Sequence, residues 1–309
     1  MAALPDSLAR RIPRLPFPYS APPVPDGVDT PESPVRSGPD YDTAWARRYP
    51  ARLARAVLVE TIGRGAVAAL ARPRVSGLDR LDVLDRSGGP VIFAANHHSH
   101  IDTPVLLTAI PDTWRHTLFV GGAADYFFST RVTSALSALA IGAIPIERTK
   151  VSRRSADRAA DLIDAGWSML IFPEGGRSPD GWGQEFHGGA AYLALRSGVP
   201  VVPIHLQGTG RILRKGRRWP TPATATVTFG TPLVPGPADN ARRLSAAIQR
   251  AVEALADEAT TDWWSARRRA HAGASPALTG PSAPAWRRAW ALGDPSGRRR
   301  RQRRRWPDL

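Results

Sequence analysis

Between residues 75 and 260 the apolar positions follow two alternating rhythms. Short β-rich runs predict strands over residues 91–95, 117–120, 143–146, 168–172, 199–206 and 225–229. Between them, helical spacing predicts helices over 103–110, 124–139, 152–165 and 189–196. A closing helix over 241–256 carries Leu244, Ile248, Val252 and Leu255 on one face. Strands alternating with helices in this way predict an α/β domain, with a largely parallel central sheet flanked by helices.

The flanks differ. Residues 1–40 hold ten of the 30 prolines with four basic and five acidic residues, a composition that cannot offset the entropy of ordering and predicts a disordered Pro-rich leader. Its fragment Pro22-Pro23-Val24-Pro25 reads as an extended linker or a polyproline ligand. Residues 41–74 predict amphipathic helices divided at Pro50, with Leu53, Val57, Leu58, Ile62, Val67 and Leu70 at helical spacing among Arg47, Arg48, Arg52, Arg55 and Arg64. Such helices either pack on the domain or lie on an anionic bilayer. The main domain is expected over 75–264. Residues 265–309 show no folding pattern and predict a disordered Arg-rich tail.

Composition narrows the chemistry. Among 309 residues there is no Cys, which excludes disulfides, thiolate nucleophiles, Cys-based zinc sites and iron–sulfur clusters. Of the net charge of +15, +10 belongs to residues 266–309, where 12 Arg face only Asp294 and Asp308. The longest strongly hydrophobic uncharged run, 132–146, has 15 residues, short of the ~20 that a membrane span needs. Asp6 and early prolines stand where a secretory signal carries its apolar core.

Ligands in open α/β sheets sit at the carboxyl ends of strands, and the first such end reads Asn96-His97-His98-Ser99-His100-Ile101-Asp102-Thr103. On a continuous helix His97 and Asp102 would lie about 140° apart and could not pair. With His97 in the strand-to-helix loop and Asp102 in the first helical turn, the chain folds back and brings carboxylate to imidazole. The Asp then fixes the tautomer, and the second ring nitrogen takes a proton from a substrate hydroxyl. The alternative is a helix N-terminal carboxylate beside a packed histidine. Two later strand-end loops add Glu147-Arg148 and Phe172-Pro173-Glu174-Gly175-Gly176-Arg177-Ser178, whose two arginines suit a phosphate.

These segments, followed by Val201-Val202-Pro203-Ile204, resemble the ordered blocks of the glycerophospholipid acyltransferases, the lysophosphatidic acid acyltransferase group, over about residues 75–235. The resemblance implies a glycerol-3-phosphate acyltransferase-like fold and a general base at His97 oriented by Asp102. It implies a glycerol-phosphate subsite of Arg148, Glu174, Gly175, Gly176 and Arg177, with Asn96, Ser99 and Pro203 in support. The donor would be acyl-CoA or acyl carrier protein and the acceptor a lysophospholipid, with no cofactor or metal. The enzyme would work in the cytoplasm, peripheral at the inner face of an anionic membrane. The chain departs from the family pattern at Gly176, where Thr is common, and at His187, where a lysine often follows the Phe. Because all four blocks end before residue 235, removal of everything after Trp264 is expected to spare the chemistry.

Two other readings compete. His98-x-His100-x-Asp102-Thr103 resembles the His-x-His-x-Asp-His signature of metallo-β-lactamase-fold hydrolases, with Thr103 at the last position. Seven Arg among residues 298–305 would serve a nucleic-acid-binding arm, yet no aromatic–basic recognition motif accompanies them. An anionic membrane attracts the same charges.

Overall fold

A computed structural model describes residues 37–84, 89–147, 153–213, 219–284 and 286–288. The expected leader, apart from its last four residues, lies outside them, as do Arg148 and the Arg run at 298–305.

Seven strands form one sheet: β1 Arg74–Ser76, β2 Ile92–Ala95, β3 Leu118–Ala123, β4 Ala143–Ile146, β5 Ser168–Ile171, β6 Val201–Gln207 and β7 Thr226–Phe229, in the order β1-β7-β6-β2-β5-β3-β4. The strands β4, β3, β5, β2 and β6 run parallel, and β7 is antiparallel to β6. The short edge strand β1, which the pattern of apolar residues did not mark, pairs with β7.

The eight longer helical segments are α1 Tyr49–Leu58, α2 Arg64–Ala71, α3 Asp102–Ala109, α4 Arg131–Ile141, α5 Arg153–Asp164, α6 Gly189–Ser197, α7 Ala241–Thr260 and α8 Trp263–His271. Strand alternation divides the core into two layers. Phe93 and Ala95 of β2 face a cluster with Val59, Val67, Val105 and Leu106, whereas Ile92 and Ala94 face one with Ala159, Ile163, Leu193, Leu244 and Ile248.

Three departures from the expected elements have identifiable causes. The helix expected over 124–139 is two: a turn at Ala124–Phe127 stops, and α4 restarts behind Thr130, whose hydroxyl accepts the Thr133 amide in a reciprocal capping box. The segment α1–α2 splits its apolar residues. Val59, Val67 and Ala71 enter the core, while Leu53, Val57 and Ile62 stay exposed next to Tyr49. Its Arg55, expected among the surface cations, is 7% exposed; it donates to the carbonyls of Leu139, at 2.9 Å, and Ala46, tying α1 to the end of α4. Burial, then Arg47 and Arg52, pull its pKa down to about 10.

Beyond Trp264, where no element was expected, α8 continues the fold. Its Asp262 cap accepts the Ser265 amide at 2.9 Å, and Arg269 forks onto the buried Asp257 of α7 with both contacts at 2.6 Å. No helix among the described residues is long and apolar enough to cross a membrane.

His205 of β6 is 6% exposed, and burial, reinforced by His98, pushes its pKa down to about 3. The unfolded chain takes up a proton there below about pH 6.5 while the folded chain does not, so this group costs stability as pH falls from 6.5 towards 3. His205→Leu should therefore lose less stability than the parent between pH 6.5 and 4, by about 2–3 kcal/mol in urea unfolding. Identical acid dependence of the two proteins would contradict this.

Candidate active site

Parallel pairing of β2 with β5, Ala94 opposite Ile171, brings two loops 77 residues apart to one end of the sheet. After β2 the chain curls round the Asp102 side chain. Asp102 is fully buried, and its Oδ2 accepts from the backbone amides of His98 (2.7 Å) and Ser99 (2.8 Å) and meets His97 Nδ1 at 2.9 Å. A carboxylate only accepts, so Nδ1 carries the proton of this contact, and in the neutral imidazole Nε2 is then the acceptor. The imidazole stacks on Phe172 with ring centres 4.1 Å apart, which fixes its plane as well as its tautomer.

The neighbouring residues hold this loop in place. Asn96 exchanges two hydrogen bonds with Leu206 of β6, at 2.8 and 2.6 Å, and the Ser99 hydroxyl donates to the Leu213 carbonyl at 2.7 Å. Pro203 lies within β6 opposite Ala94 and does not line the cavity described below.

Glu174 departs from its expected place among the phosphate binders. It is 3% exposed and faces away from the cavity. Oε1 accepts the His97 amide at 2.8 Å and Oε2 the Gln184 amide at 2.9 Å, while the Ser178 amide donates to the His97 carbonyl at 2.9 Å. Its carboxylate thus stitches the two loops together. Burial pushes the Glu174 pKa up to about 7 against the pull of these two amides.

A cavity of about 1060 Å³ opens in front of His97. Its lining includes the polar or charged His97, His100, Glu147, Arg153, Arg177 and His187 as well as the apolar Val120, Ile141, Ile146, Ile171 and Leu193, with Gly175 and Gly176 beside Arg177. Gly175 has φ +68, and a Cβ there would lie 3.0 Å from the His187 ring, so the turn packs closely only because the residue is glycine. The Arg177 guanidinium lies 5.9 Å over the Tyr126 ring, and that ring also stacks on His100, whose Nε2 meets the tyrosine hydroxyl at 3.0 Å. Burial and then the Arg177 charge push His100 down to about 4, leaving it neutral.

Of the expected residues, His97, Asp102, Gly175, Gly176 and Arg177 come together. Glu174 stands behind them, and Arg148 lies outside the described residues. Phe172, Tyr126, His100 and His187 join the site unannounced. For His187 the signal was its place between Phe186 and two glycines at the start of α6. Nothing in the spacing of His98, His100 and Asp102 becomes a metal cage, because Oδ2 of Asp102 is turned to His97 and His100 is stacked on Tyr126. The described trio with converging ligand atoms is Glu60, Asp112 and His116 on the surface, whose carboxylates pair with Arg115.

The model of the acyltransferase family matches residues 72–207. Those residues form an acyltransferase-family domain. The domain is similar to a chloroplastic 1-acyl-sn-glycerol-3-phosphate acyltransferase of Brassica napus, 34% identical over 139 residues, 44% of this chain and 38% of that protein. It is also similar to a 1-acyl-sn-glycerol-3-phosphate acyltransferase of Chlamydomonas reinhardtii, 32% identical over 168 residues, 53% and 47% of the two chains. The chain thus spans well under two thirds of these relatives. The crystal structure of the 1-acyl-sn-glycerophosphate acyltransferase PlsC from Thermotoga maritima shares the fold, with TM-score 0.56 and 24% identity over 72% of this chain and 84% of that one. The acyltransferase domain supplies both loops of the site, whereas α7, α8 and the segment after them lie outside the matched residues.

Glu174→Gln tests the stitch. A raised carboxyl pKa means that between about pH 4.3 and 7 the folded protein holds a proton the unfolded chain has lost, so this group's contribution to stability falls as pH rises through that window. The variant lacks that titration. Its stability deficit in urea unfolding should be larger at pH 5 than at pH 8, by up to about 3 kcal/mol. A deficit that is constant or grows with pH would contradict the assignment.

Proposed function

We propose that this protein transfers a fatty acyl group from an acyl thioester, acyl-CoA or acyl carrier protein, to the free hydroxyl of a lysophospholipid, converting 1-acylglycerol 3-phosphate to phosphatidic acid. The observation that carries this reading is the 2.9 Å His97–Asp102 contact beside a cavity whose lining combines Arg177 with apolar side chains. The similarity to 1-acyl-sn-glycerol-3-phosphate acyltransferases supports the choice of acceptor.

In this reading His97 Nε2 removes the acceptor hydroxyl proton as that oxygen attacks the thioester carbonyl. The tetrahedral oxyanion collapses, the C–S bond breaks, and the imidazolium returns its proton to the leaving thiolate. Asp102 stabilises the imidazolium throughout. Arg177 holds the acceptor phosphate beside the Gly175–Gly176 turn. The apolar side chains of the cavity take an acyl chain.

The exposed Tyr49, Leu53, Val57 and Ile62 on the N-terminal helices, with Val132 and Leu136 on the adjacent α4, offer an apolar surface for peripheral docking on the inner face of the cytoplasmic membrane. The Arg-rich C-terminus adds electrostatic attraction to anionic lipid.

Purified protein incubated with acyl-CoA or acyl carrier protein and a panel of lysolipids, with products identified by mass spectrometry, is expected to yield phosphatidic acid from lysophosphatidic acid. His97→Ala should lower the rate by about 10² or more with the fold retained by circular dichroism. Arg177→Ala should raise KM for the phosphorylated acceptor by about ten-fold or more while sparing the donor. Acylation of no lysolipid, or full activity without His97, would overturn the proposal.

A further inference from the structure

The loop over residues 178–184 leads directly from the Arg177 turn yet belongs to no helix or strand. Its front end is tied to the site, Ser178 to the His97 carbonyl and Gln184 to both Glu174 and the Gly176 carbonyl. Its outer side is held by a segment about a hundred residues later. The Gly183 amide donates to the Leu278 carbonyl at 2.9 Å, the Trp182 indole N–H to the Arg288 carbonyl at 2.9 Å, and Arg288 Nε to Asp180 Oδ2 at 2.7 Å. Gly280, at φ +70, lies flat under the Trp182 ring, where a Cβ would come within 2.3 Å. The strap is itself anchored, because the Leu278 amide meets Glu253 of α7 at 3.4 Å, and Glu253 accepts from Gln249, whose oxygen takes the Phe186 amide at 3.1 Å.

We infer that residues 278–284 and 286–288, from outside the acyltransferase-family domain, complete the acceptor subsite, with Asp180, Trp182 and Arg288 as positioning residues for the Glu174–Arg177 turn. Arg288 touches nothing in the cavity. It acts by fixing the outer side of a loop that follows directly on the proposed phosphate-binding arginine, and orientation of a bound group is sensitive to displacements of about 1 Å. The expectation that cutting after Trp264 spares the enzyme is therefore revised: such a truncation should weaken acceptor binding. The inference rests on the proposed acyl transfer for its kinetic readout and not for its structural one.

Its test compares full-length protein with Arg288→Ala, Arg288→Lys and Trp182→Phe. Arg288→Ala should raise KM for lysophosphatidic acid by about five-fold, the scale of one partly exposed ion pair, with kcat and donor KM within two-fold of the parent. Arg288→Lys should recover part of that loss, and Trp182→Phe, which keeps the ring but not the N–H, should reproduce it. Amide hydrogen exchange should accelerate by about ten-fold at residues 178–184 in Arg288→Ala and stay unchanged in β2 and β5. Unchanged exchange across this loop, or equal losses for acceptor and donor, would overturn the inference. If the parent acylates no lysolipid, the proposed reaction fails by itself, and exchange alone still decides whether the strap holds the loop.

Discussion

A buried carboxylate surrounded by the backbone of its own loop sets the rest of the site. Asp102 brings a negative charge into the base of the domain, where an unpaired ion is costly, and three N–H groups from residues 97–99 converge on one of its oxygens. Two of the three are main-chain amides, so the loop must curl round the carboxylate. That curl gives His97 its direction. The third donor is the imidazole, whose outward nitrogen is left as an acceptor at the cavity.

The parallel sheet then determines what His97 faces. Because β2 and β5 are neighbours, the turn carrying Arg177 approaches the histidine loop, and Glu174 joins the two by accepting one amide from each side of the seam. A side chain expected in the glycerol-phosphate subsite is instead consumed internally, and its neighbours Gly175, Gly176 and Arg177 line the cavity. Support extends further out in successive rings. Gln184 and Ser178 hold the turn, and the strap at residues 278–284 and 286–288 holds the loop that follows it. Apolar side chains share the cavity lining with these polar groups, as the proposed meeting of a hydroxyl with a long hydrocarbon requires.

The sheet and the dyad were legible in the sequence because both depend on local pattern. Short Val- and Ile-rich runs mark buried parallel strands, and His97 and Asp102 are too far out of helical phase to meet except through a loop. The direction of Glu174 was not legible, since a Glu–Gly–Gly–Arg turn leaves its carboxylate free to face either way until β2 and β5 are paired. The strap was hidden for a different reason. Arg288 and Asp180 are 108 residues apart, and a segment of Ala, Pro, Gly and Arg has no periodicity that separates a docked strand of chain from a solvated one. Arg55 misled in the opposite sense, because a cation on an amphipathic helix is normally solvated, whereas here it closes the carbonyl end of α4.

The central claim is that Asp102 and His97 act as one unit, and a double-mutant cycle tests it most directly. Measured on the acylation of lysophosphatidic acid, Asp102→Asn should lower kcat by about 10² or more, and adding His97→Ala should lower it little further, because each change disables the same proton transfer. Retention of the parental rate by Asp102→Asn, or losses that multiply in the double variant, would contradict the account.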